Sequence, residues 1–232
     1  MSVRPLAAAG LALLTLTGGA AVAAGPPPDR VVPPAEYTTE KARRLGATHA
    51  RALQELSADI YHCMPWVDVQ KGWIGFLRPR GAQQDDRYLS VHIYIEQDPS
   101  PAFGKMPFEH RAAAMFSRYT PPLVRRMTRD AGIAADPALD GFTLILEWRK
   151  QDASVGGRPV REQIAIFMDR ASILEYLAGR ADVVTLASRA RVLGFDGETA
   201  LGMVKLGQTF DDNFTSTYKV ANYQLEPGIV CQ

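Results

Sequence analysis

Cysteine is scarce in this chain: two in 232 residues, Cys63 and Cys231. That excludes a small scaffold held by many disulfides, and the lack of any C-x-x-C pair argues against cysteine-type zinc modules. Histidine is nearly as rare, at four (His49, His62, His92 and His110), and none falls in H-E-x-x-H or H-x-H spacing. A charge excess of either sign is also missing, with 26 basic and 25 acidic residues. Such a balance argues against nucleic acid as a general partner and against electrostatic attraction to an anionic membrane. No G-x-S-x-G elbow, Walker loop or glycine-rich strand-to-helix turn appears, so no motif calls for a cofactor or a metal. Long apolar runs are absent too. Leu6 to Thr17 is shorter than the ~20 residues needed to cross a bilayer and meets Gly18-Gly19.

That short run has another meaning. Arg4 precedes it, and small residues ending Ala21-Val22-Ala23-Ala24-Gly25 follow it. A positive start, a brief apolar core and an A-x-A end predict an export leader over 1–24, and no transmembrane span once it is removed. Outside the cytosol two cysteines favour pairing, so Cys63 and Cys231 are expected to form a disulfide. Residues 25–36 (GPPPDRVVPPAE) predict an extended proline-rich lead-in. The remainder, 37–232, has the size and apolar content of a single domain.

Within it, Thr38-Thr39-Glu40 offers N-cap chemistry for one helix reaching about Tyr61, with Leu45, Leu53, Leu56 and Ile60 on one side. Strands are predicted at 73–77 and 88–96, then helices near 107–118 and 121–131 with Gly132 closing the second. The same strand-turn-strand-helix order returns with strands at 142–149 and 160–168 and a helix capped by Asp169. A short helix near 182–187 and strands at 191–195, 202–206 and 217–223 complete the series. Alternating strands arranged as hairpins imply an α+β fold: a mainly antiparallel sheet with helices packed on one face.

Candidate chemistry is sparse. His92 shares a strand face with Tyr94 and Glu96, and the second hairpin offers Glu147, Arg149, Arg161 and Gln163. If the hairpins adjoin, these side chains form a face able to hold a small polar or anionic ligand, with arginine as a bidentate clamp. The alternative is a solvated sheet face laced with charge pairs. Asp136, Asp140, Gly141 and Glu147 echo the spacing of a calcium loop, but Ala138 and the following strand favour an ordinary turn. Arg125, Arg126 and Arg129 predict a solvated helix face. Trp66, Trp73 and Phe76 suggest core packing or a stacking platform.

The expectation is therefore an exported, non-catalytic binding or accessory protein, periplasmic or extracellular, whose partner is a protein or a small polar ligand. Two alternatives stand beside it. One is a secreted hydrolase whose acid–base pair joins His92 to a carboxylate such as Glu147. The other is a structural component of an envelope assembly.

Overall fold

A computed structural model describes residues 25–79, 81–95, 101–155, 158–207, 225 and 227–231. The leader, the predicted strand at 217–223 and Glu96 lie outside them. Thr39 starts the first helix as expected, its hydroxyl accepting from the Ala42 amide at 3.3 Å. The helix is not continuous, however: α1 (Glu40–Thr48) and α2 (Ala50–Cys63) meet at His49. His49 has φ −105° and ψ 14°, and its buried imidazole reaches Asp136 at 2.9 Å. Periodicity conceals the break because Leu45, Leu53, Leu56 and Ile60 remain buried across it.

The proline-rich lead-in also departs from expectation. It makes two short 3-10 turns, Pro28–Arg30 and Pro34–Glu36, and buries Arg30 and Val31. Its neighbour is β2 (Ile74–Leu77), which with β1 (Val67–Asp68) flanks one side of β3 (Tyr88–Ile95). The Val32 amide donates to the Ile74 carbonyl at 2.9 Å, and the Tyr37 hydroxyl accepts from the Phe76 amide at 3.0 Å. An open strand edge exposes such groups to unwanted pairing, and here the lead-in satisfies them.

After β3 come α3 (Pro101–Gly104), α4 (Phe108–Met127) and α5 (Ala131–Ala135). The two helices expected around 107–131 are one long helix, α4, that runs through Pro121-Pro122. Proline in a helix interior costs about 3 kcal/mol. Here Phe116, Tyr119, Leu123, Val124 and Met127 are all buried along it, each aliphatic or aromatic side chain contributing roughly 1.5–3 kcal/mol. Core burial on both sides of the prolines outweighs the lost backbone bonds. Of the arginines at and just past its end, Arg125 and Arg129 are exposed, as a solvated face requires, and Arg126 is half-buried. Arg126 and Arg129 both engage Asp59 of α2, and Arg125 lies 5.8 Å from the centre of the Tyr176 ring.

The second half comprises β4 (Gly141–Val155), β5 (Arg158–Asp169), α6 (Arg170–Leu177), α7 (Val183–Arg189), β6 (Arg191–Asp196) and β7 (Thr199–Met203). Asp169 and Asp182 cap α6 and α7 by accepting from backbone amides at 2.7 Å. Gly197, at φ +58°, turns β6 into β7. The strand expected at 202–206 lies earlier, as β7.

The protein is thus α+β with a mixed seven-stranded sheet ordered β1-β3-β4-β5-β6-β7, β2 also pairing with β3. The strands do not all run antiparallel to their neighbours. β3 and β4 are parallel, Tyr88 facing Gly141 and Ile95 facing Trp148, because α3 to α5 return the chain to the edge where β3 began. One set of alternate residues is fully buried: Leu89, Val91, Ile93, Phe142, Leu144, Leu146, Trp148, Ile164 and Ile166. The Phe103 and Phe108 rings lie 6.5 and 6.3 Å from Trp148 on that side. A β-carbon at Gly194 would fall 2.6 Å from Phe108, so only glycine admits this approach.

Cys63 at the end of α2 is disulfide-bonded to Cys231, 168 residues away. Among the described residues, no helix is long and apolar enough to cross a membrane.

Candidate functional site

The other set of alternate residues forms the second face of the sheet, and the parallel β3–β4 pairing sets its pattern. Register places Tyr94, Glu147 and Gln163 in one row across β3, β4 and β5, with His92, Ile145 and Ala165 in the next. His92 and Glu147 therefore meet diagonally, at 3.0 Å between Nε2 and Oε2. The other carboxylate oxygen of Glu147 accepts from Arg161 at 2.7 Å, and the Arg161 guanidinium sits 4.3 Å from the centre of the Tyr94 ring. Arg149 stands opposite Arg161 in the ladder, exposed on the same face. β3 pairs with β4 and β4 with β5, so His92, Tyr94, Glu147, Arg149 and Arg161 share one surface.

Trp73 adds a contact that the sequence did not assign to this face. Its ring lies flat on His92, 3.6 Å between centroids and 10° from parallel, because the His92 amide bonds the Trp73 carbonyl. Trp66 and Phe76 are core residues instead.

Burial pushes the Glu147 carboxyl up, but the hydrogen bonds from His92 and Arg161, with the charges beside it, hold it below the ordinary glutamate range. The same hydrogen bond raises Arg161 above its usual value. A carboxylate so held accepts, so the His92 Nε2 carries the hydrogen that bonds it. That hydrogen is then committed, leaving the Gln163 amide, 3.4 Å away, as a neighbour. Only Nδ1 of the imidazole remains for proton transfer.

A second imidazole–carboxylate pair, His49 with Asp136, is a structural tie. Asp136 also accepts from the Ala138 amide at 2.8 Å, and Asp140 accepts from Lys41 and from the Arg87 amide, both at 2.6 Å. The calcium-like spacing is thereby accounted for by turn and interhelical contacts. Among the described residues, no cluster of three or more His, Cys, Asp or Glu side chains could hold a metal ion.

Beside the His92 cluster the face dips into a groove of about 440 Å³, within the size range of small-ligand sites. Ile145, Ala165, Phe167, Leu193 and Phe195 supply its apolar surface, and Ser90 and Thr143 are also in its wall. Gln163 adjoins the His92 cluster, while Arg78 and Arg191 border the groove from the β2 and β6 sides. Arg191 lies over the Phe167 ring, 4.5 Å from its centre. The apolar wall went unpredicted, although a signal existed: Phe142–Leu146, Ile164–Met168 and Val192–Phe195 are almost unbroken apolar runs. A strand with one wet face alternates, whereas a strand apolar on both sides reads this way.

Acid titration tests the charged end of the site. Because Glu147 and Asp136 both sit below their ordinary values, each stabilises the fold fully at neutral pH. That contribution is lost from about pH 5 downward as the carboxyls protonate. Urea midpoints for the parent protein should fall between pH 7 and pH 3.5, and Glu147→Gln should flatten part of that fall. Parallel profiles for parent and variant would show that Glu147 is not held by its cationic neighbours.

Compared with protein-family models, curated proteins and solved structures, the chain gives no match.

Proposed function

We propose that the protein is an exported, non-catalytic binding module of the periplasm or cell exterior, with a leader over 1–24 and a single domain over 37–232. Its ligand site is the second face of the sheet, the helices being gathered on the Trp148 side. The observation that carries this reading is the apolar groove flanked by polar groups, a combination that takes a small molecule in one orientation. The disulfide supports export, since such bonds persist in oxidising compartments.

A hydrolase remains the second reading, favoured by the 3.0 Å contact between His92 and Glu147. Against it, both oxygens of Glu147 are engaged, one face of the imidazole is covered by Trp73, and His92 has no serine or cysteine partner among the described residues. General acid–base work needs a group free to move a proton at the reacting atom.

A neutral fluorescent probe, N-phenyl-1-naphthylamine, separates the readings. It should brighten on binding, and Ala165→Trp, which fills the groove, should abolish the signal while leaving the circular dichroism spectrum unchanged. Nitrophenyl ester, glycoside and peptide substrates should show no turnover. Turnover that disappears in Glu147→Gln would install the hydrolase in place of the module.

A further inference from the structure

Resting on that reading, we infer that the groove takes a single amphipathic anion: one apolar chain or flat apolar body ending in a carboxylate or similar head group. The apolar part lies on Ile145, Ala165 and Leu193, and the head group meets Arg78 and Arg191.

Charge bookkeeping across the surface points this way. Arg30, Arg87, Arg111, Arg126, Arg129, Arg161 and Arg189 are each paired with a carboxylate. Among the described residues Arg78 and Arg191, like Arg43 and Arg170, form no ion pair: Arg78 donates to the Ala82 carbonyl, and Arg191 packs on Phe167. What sets Arg78 and Arg191 apart is that both border the same apolar groove. Asp169 caps α6 through Ser172, and both Asp169 and Asp86 line the adjoining hollow, which Phe167 and Arg191 border as well. At the opposite end Glu147 is already neutralised by Arg161 and bonded by His92. The groove thus has two arginines on one border, neither in an ion pair among the described residues, and a neutralised carboxylate at its far end, which orients an anion and disfavours a cation.

Stacking holds Arg191 in place. A guanidinium laid on an aromatic ring keeps its edge N–H groups free for a planar carboxylate. A volume of about 440 Å³ suits one small molecule and is too small for a folded partner. The proposed ligand is therefore a free amphiphile rather than a membrane surface.

Calorimetric titration of the oxidised protein with dodecanoate and dodecyltrimethylammonium below their micellar concentrations, and with dodecan-1-ol below its solubility limit, tests this. Dodecanoate should bind about tenfold more tightly than the alcohol, and the cation more weakly still. Combining Arg78→Gln with Arg191→Gln should remove the tenfold advantage, whereas Arg191→Lys should retain most of it. Equal affinity for acid and alcohol, or preference for the cation, would overturn the anion while sparing the groove. Failure of all three amphiphiles together with the neutral probe would remove the binding reading itself. Binding to anionic vesicles without binding to free dodecanoate would overturn the proposal in favour of a membrane surface.

Discussion

Glu162→Ala is expected to destabilise the protein by about 3–5 kcal/mol, the cost of stripping one partner from a buried ion pair. Glu162 is only 1% exposed on β5. Its two oxygens receive the Arg111 guanidinium from α4 in a bidentate pair, and one also accepts from the Trp148 indole at 2.9 Å. Removing the carboxylate leaves a nearly buried guanidinium and a buried indole N–H without their acceptor. Glu162→Gln keeps an acceptor for Trp148 and should cost less. Replacing the ion pair, Arg111→Met with Glu162→Leu, should recover the part of the loss that comes from the stranded guanidinium, while the buried Trp148 indole N–H still lacks its acceptor. Urea unfolding of the oxidised protein reads all three. A loss below about 1 kcal/mol for Glu162→Ala would mean that water reaches the pair.

The second large effect concerns the sulfur link. On the chain-entropy account, closing a loop of 168 residues stabilises the fold by roughly 5 kcal/mol, and structure in the denatured chain lowers that figure. Cys63→Ser should therefore shift the guanidinium midpoint strongly downward. Reduction of the parent protein should reproduce the shift. The denaturant slope should also steepen, because the opened chain exposes more surface when it unfolds. A reduced protein unfolding at the oxidised midpoint would contradict this account.

Local features were legible in the sequence because short-range rules determine them. Thr39 and Asp169 each cap the helix that their residue type forecast, and the alternation in Tyr88–Ile95 matches its two faces. His92, Tyr94, Glu147, Arg149 and Arg161 could be grouped because strand parity places them on one side. Three features escaped for long-range reasons. His49 breaks a continuous apolar stripe because of Asp136, 87 residues on. Pro121-Pro122 sits inside α4 because tertiary burial overrides propensity. Glu162 carries no local sign of burial, since Arg111 lies 51 residues earlier. The groove was missed differently. Its unbroken apolar runs were present, but hairpins suggested a wet second face.

The position of the bridge has a mechanical consequence. All seven strands fall between Cys63 and Cys231, whereas α1 and most of α2 precede the bonded pair. Tension applied through residues on either side of that segment passes along the two leading helices and straight across the sulfurs. Once the lead-in and Tyr37 have let go of β2, the strands carry no load. Stretched this way, the oxidised molecule would pay out only its front portion, and the sheet would yield length only after a reductant had cut the shortcut.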